Sequence, residues 1–129
     1  MIMRAKQDGN VLMLELEGHL DFETTVQFRE TCKDLISKNT GSRLIFDLEK
    51  LKFVGSSGIN QFVKVLKEFN TLKEKPRYIR LSTEFNRIFR ALQTSRNPFE
   101  IFEDENTAKL SFDLPPPPKK VSKKKIATA

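Results

Sequence analysis

The chain predicts a mixed α/β (α+β) domain: a four- to five-stranded sheet with about four helices, in the order β-β-α-β-α-β-α-β-α. Three observations carry this reading. Val11-Leu12-Met13-Leu14-Glu15-Leu16 and Leu44-Ile45-Phe46-Asp47-Leu48 are short, nearly continuous apolar runs of strand length. Between and after them, apolar residues recur at helical spacing, as in Phe28, Cys32, Leu35 and Ile36 and again in Phe85, Ile88, Phe89 and Leu92. Glycine or proline marks many of the changes of period, at Gly9, Gly18, Gly41, Gly55 and Pro76.

Residues 2–7 and 11–17 read as a strand pair closed by Asp8-Gly9-Asn10, a turn with a glycine available for positive φ. Gly18 is expected to end the second strand. A helix beginning near Glu23 buries the stripe of Phe28, Cys32, Leu35 and Ile36 and stops at Asn39-Thr40-Gly41. Residues 43–48 form the next strand, short and central. A second helix, residues 57–72, carries Ile59, Phe62, Val63, Leu66 and Phe69 on one stripe, and Lys75-Pro76 breaks it. Residues 77–81 form a strand, a short helix follows over Phe85 to Leu92, residues 98–102 form a last strand, and Asp104 caps a final helix reaching about Phe112. Crossovers through helices imply parallel strands, whose C-terminal ends feed the loops that carry function. Asp21 and Ser56 both follow such ends and are expected to be neighbours on one edge.

The 129 residues suffice for one domain with one core. A domain over residues 1–112 is expected, followed by a Pro/Lys-rich disordered tail over residues 113–129. Leu114-Pro115-Pro116-Pro117-Pro118 cannot continue a helix or join a central strand and favours extended polyproline-like chain. Lys119, Lys120, Lys123, Lys124 and Lys125 stand against Asp113 alone, so four of the six net positive charges lie in this tail. The basic balance is therefore weak evidence for a nucleic-acid-binding fold. No apolar run is long enough to span a bilayer and no signal-type segment follows Met1, so a cytoplasmic location is expected. Cys32 sits on the apolar stripe of its helix and reads as a buried, inert thiol. One histidine, His19, and one cysteine do not build a common structural zinc site.

No catalytic constellation is visible, and no metal site or cofactor is expected. His19 has no serine or cysteine partner in any motif and reads as a loop residue. Gly55-Ser56-Ser57-Gly58 lacks the lysine and spacing of a P-loop and the Gly-x-Ser-x-Gly of a nucleophile elbow. The chain is therefore read as a non-enzyme. The turn is informative for another reason. It places two hydroxyls where a loop becomes a helix, beside unpaired backbone N–H groups and the positive end of a dipole. Ser56 or Ser57 is there either an ordinary N-cap or a site where a phosphate would be stabilised. Asp21 and Glu23 suggest cation binding at first sight, but Asp21 reads better as a helix cap.

Leu16-Glu17-Gly18-His19-Leu20-Asp21 and Gly55-Ser56-Ser57-Gly58 together resemble the motifs of the STAS domain family, named for sulfate transporters and anti-sigma factor antagonists. The resemblance covers about residues 3–112 and implies a STAS-like single domain. It implies a regulatory protein-binding module like an anti-sigma factor antagonist, whose partner is an anti-sigma factor or serine protein kinase. Ser56 maps to the family's phosphoacceptor, and Asp21, Gly55, Ser56, Ser57 and Gly58 map to its partner-binding surface. Bare serine would bind and phosphoserine would release. Gly55 replaces the family's aspartate, removing a charge and an acceptor beside Ser56. The alternative is a non-phosphorylated STAS subunit of a transporter or signalling complex. A reading of another class is nucleic-acid or membrane association through the five tail lysines.

Overall fold

A computed structural model of the chain describes residues 1–39, 41–53 and 56–113; the side chains of Phe53, Ser56 and Ser57 are outside this description. Its elements are β1 (Ile2–Asp8), β2 (Val11–Leu20), α1 (Phe22–Lys38), β3 (Arg43–Phe53), α2 (Ser56–Phe69), β4 (Arg77–Ile79), α3 (Thr83–Leu92), β5 (Glu100–Phe102) and α4 (Glu105–Asp113). This is the predicted order. The five strands make one mixed sheet in the order β1-β2-β3-β4-β5, with β3 central. β1 pairs antiparallel with β2 from Asp8↔Val11 onward, and Gly9 supplies the turn with φ of 63°. β2, β3, β4 and β5 run parallel.

Strands taken up sequentially through crossovers of one hand put α1, α2 and α3 on the same face. The side chains follow from the two-residue period of a strand. Leu12, Leu14, Leu16, Leu44, Phe46, Leu48 and Tyr78 point to that face and bury against Phe28 and Cys32 of α1, Phe62 and Leu66 of α2 and Phe85 and Phe89 of α3. Rings form a chain through this layer. Phe46 stacks on Tyr78 at 5.5 Å, Tyr78 meets Phe89 edge-on at 5.5 Å, and Phe89 meets Phe99 at 5.0 Å. Val11, Ile45 and Ile79 point to the opposite face, where α4 covers them with Ala108 and Phe112.

Three strands end away from expectation, each for a physical reason. β2 does not end at Gly18; it passes through with φ of 115° and pairs Gly18 with Leu51. A side chain there would approach Met1 Cα at 3.3 Å, so glycine is needed within the strand rather than after it. β3 runs on to Phe53 instead of stopping at Leu48. Its pairing with β2 shifts from Glu15↔Asp47 to Glu17↔Lys50, a bulge that returns Leu51 to the same face as Leu44, Phe46 and Leu48. Buried Asp47 holds this bulge: one carboxylate oxygen accepts the Glu49 N–H at 3.1 Å and the other accepts Arg80 Nη1 at 2.7 Å. β4 stops at Ile79 because Arg80 turns into the left-handed region, φ 55°.

The predicted Pro/Lys-rich tail, with Lys119, Lys120, Lys123, Lys124 and Lys125, lies outside the described residues; α4 itself reaches Asp113.

Candidate functional site

β2 and β3 both run to the same edge of the sheet, and each hands its chain directly to a helix there. Leu20 pairs with Phe53, so the two exits are adjacent. The first exit is a closed capping box. Asp21 is the N-cap of α1: its side chain accepts the Thr24 N–H at 2.9 Å, and Thr24 Oγ1 accepts the Asp21 N–H at 2.9 Å. Thr25, buried, adds a hydroxyl bond to the Asp21 carbonyl at 2.7 Å. The Thr24 backbone N–H above all, with the Thr24 hydroxyl, holds the Asp21 carboxyl below its ordinary value. Asp21 is nevertheless exposed, so the cap faces solvent with a fixed negative charge.

The second exit opens α2 at Ser56, with Ser57 and Gly58 in the first turn. Gly55 and the side chains of Ser56 and Ser57 lie outside the described residues. Gly58 is described and is buried. A Cβ at Gly58 would lie 2.9 Å from Asp21 Cα, 3.1 Å from the Leu20 carbonyl oxygen and 3.2 Å from Asp21 C. The start of α2 therefore rests on the backbone of the α1 cap with no room for a side chain between them. Two helix N-termini converge on this spot. The α1 terminus already carries the Asp21 carboxylate and Glu23, whereas the first turn of α2 carries no acidic residue. The unbalanced positive end of α2 is where a further anion is stabilised.

Beside Asp21, the α1 side chains Phe22 and Val26 are 56% and 49% exposed. Lying one turn apart, they form an apolar step next to the capping box. They lie off the buried stripe of Phe28 and Cys32 that the helical period picks out, so that period does not mark them. An apolar i, i+4 pair off that stripe is the signal that would have found them. Arg29 makes a two-pronged ion pair with Glu68, at 2.9 Å and 3.0 Å, which ties α1 to α2 behind the site.

His19 is exposed near the end of β2, one residue before buried Leu20. Cys32 is fully buried, and burial pushes its thiol far up from the ordinary value, so the inert reading of this group holds. No helix among the described residues is long and apolar enough to cross a membrane.

Comparison with known proteins places this geometry. The family model of the STAS domain matches residues 3–108. No curated protein matches the sequence. Among solved structures, the chain is similar to the anti-sigma factor antagonist SpoIIAA in its unphosphorylated form, at 16% identity and a TM-score of 0.60 over 87% of this chain and 97% of that one. It is equally similar to the phosphorylated form of the Bacillus cell fate determinant SpoIIAA, at 15% identity and a TM-score of 0.60 over 88% and 100%. An RsbS variant from Moorella thermoacetica gives 12% identity and a TM-score of 0.66 over 86% and 94%. Murine Solute Carrier 26 family member A9, an anion transporter, gives 18% identity and a TM-score of 0.61 over 85% of this chain but 19% of that one. At these identities the likeness shows a shared fold.

Proposed function

The chain belongs to the STAS domain family, and from that premise we propose that it is a regulatory binding module of the anti-sigma factor antagonist kind. It docks an anti-sigma factor or serine protein kinase on the edge formed by Asp21, Gly55, Ser56, Ser57 and Gly58, with Phe22 and Val26 as the apolar flank. Ser56 is the phosphoacceptor. The observation that carries this reading is the seating of the first turn of α2 on the Asp21 backbone at Gly58. A phosphate on Ser56 adds a charge of about −1.5 to −2 where the α2 terminus favours it, so the fold is kept. The same charge falls on the edge that carries the exposed Asp21 carboxylate, and a partner seated over that edge must oppose or desolvate both. The likeness to SpoIIAA in both forms, with equal TM-scores, supports a switch that alters the surface and leaves the fold intact.

Docking and release at this edge require no reaction catalysed by the chain itself, so the protein is proposed to act as a non-enzyme. The test is mass spectrometry after incubation with the partner kinase and ATP. The reading expects one phosphate on the peptide over residues 53–60, absent from Ser56→Ala. An unmodified peptide under conditions that phosphorylate a control substrate contradicts it.

A second reading, a STAS subunit docked in a transporter or signalling assembly without phosphorylation, is favoured by Gly55 in place of the family's aspartate and by the likeness to a domain-sized part of the anion transporter. Ser56→Asp separates the two: it weakens docking under the first and leaves it unchanged under the second. Nucleic-acid or membrane association through the tail lysines predicts that binding disappears when residues 114–129 are deleted, whereas both edge readings predict that it survives.

A further inference from the structure

The edge opposite the serine turn, at the N-terminal ends of the parallel strands, carries a groove that the proposed function does not use. It has a volume of about 580 Å³ and lies between the C-terminal ends of α1 and α2. Its apolar floor is Ile36 of α1, Leu44 of β3 and Leu72 beyond α2. Leu44 is buried, while Ile36 and Leu72 are only half-covered, so the main core opens to solvent here. One arginine links this groove to the point where the described chain ends. Arg43 Nε bonds the Glu74 carboxylate at the groove wall at 2.8 Å. Its Nη1 bonds Asp113, the last residue of α4, at 3.0 Å. The same guanidinium lies over the Phe112 ring, 5.4 Å from its centre. The described chain therefore ends, at Asp113, beside an arginine that lines the groove.

The residues that follow are Leu114-Pro115-Pro116-Pro117-Pro118. They are apolar, have one backbone N–H among five residues, and reach about 15 Å as an extended polyproline helix at about 3.1 Å per residue. Prolines pre-set the extended form, so little conformational entropy is lost on docking. We propose that Leu114–Pro118 seats in this groove, with the Leu114 side chain against Ile36, Leu44 and Leu72 and the Arg43–Asp113 pair as its pivot. The family match ends at residue 108, so this latch belongs to the chain's own extension. The groove and the Asp21 cap occupy opposite ends of β2 and β3, so a segment seated in the groove does not cover the Asp21 edge. The proposal is independent of the phospho-switch.

Methyl NMR on the full chain tests it. The expected result is nuclear Overhauser contacts from the Leu114 methyls to those of Ile36 or Leu72. Leu114→Asp then moves the Ile36, Leu44 and Leu72 methyl signals while the Phe62 and Phe85 surroundings, at the core centre, keep their shifts. Leu114 methyls at random-coil positions, with groove signals unmoved by Leu114→Asp, overturn the proposal. So do contacts that appear only between differently labelled molecules in a mixed sample, because the occupant is then a second copy.

Discussion

A methyl group added at Gly58 would lie 2.9 Å from Asp21 Cα, a separation that packed atoms do not tolerate. Alanine is worth about 1 kcal/mol over glycine inside a helix. Overpacking against fixed backbone costs about 1–3 kcal/mol. The clash falls on the backbone of a capping box rather than on a flexible side chain, so the cost prevails. Gly58→Ala is expected to lower the urea midpoint and to shift the Thr24 and Thr25 amide signals; a raised midpoint would show that α2 does not rest on Asp21. Asp21 itself gives a pH signature. Its folded carboxyl is held below its ordinary value of 3.8, so its contribution is present above about pH 4 and is lost as pH falls through the lowered folded value. Asp104, capping α4 through the Thr107 N–H at 2.8 Å, behaves in the same direction. Amide protection factors at Thr24 and Thr107, exchange rates taken relative to the intrinsic rate at each pH, are expected to fall together below about pH 4. Asp21→Asn is expected to remove that acid dependence at Thr24 while Thr107 retains it.

Among the elements, α2 is anchored at both ends, at Gly58 and at Asn70. Past its C-terminal end, Asn70 is buried and donates its amide to the carbonyls of Asn97 at 3.1 Å and Pro98 at 3.2 Å, and Asn97 Nδ2 returns a bond to the Asn70 carbonyl at 3.1 Å. This clasp binds α2 to the loop before β5. Asn70→Asp replaces a double donor by a carboxylate facing two carbonyl oxygens, and a loss of about 3 kcal/mol or more in unfolding free energy is expected by chemical denaturation. Tyr78 presents the opposite case. Its ring is packed by Phe46, Phe89 and Phe99, but its hydroxyl is buried without a hydrogen-bond partner among the described residues. Tyr78→Phe removes a desolvated hydroxyl and keeps every ring contact. It is expected to leave stability within about 1 kcal/mol of the parent or to raise it. A loss of several kcal/mol would mean that the hydroxyl has a partner.

Across the whole molecule, periodicity made the element order readable. The three helical stripes and the apolar cores of β2 and β3 each repeat at one clear interval. What escaped was set by contacts between elements. Gly18 reads locally as a stop, yet positive φ inside a paired strand keeps β2 going to Leu20. Glu49, Lys50 and Lys52 read as loop, yet they prolong β3 by virtue of a bulge held by Asp47. The adjacency of Asp21 and the α2 start was legible from topology, since both follow strands with parallel neighbours. The exposure of Phe22 and Val26 was not, because it depends on how α1 rolls on the sheet. Ser56 owes its standing to the family motif; a hydroxyl at a helix start is by itself equally a cap.

In the proposed switch, a macromolecule docks over the convergence of the α1 and α2 termini and is released by charge on Ser56. Calorimetric titration with a serine-kinase anti-sigma factor encoded in the same genome tests it most directly, using the parent chain, Ser56→Ala and Ser56→Asp. Equal affinity is expected for the first two and at least a tenfold loss, about 1.4 kcal/mol, for Ser56→Asp. Equal affinity for all three, with the aspartate variant folded as the parent, would contradict it.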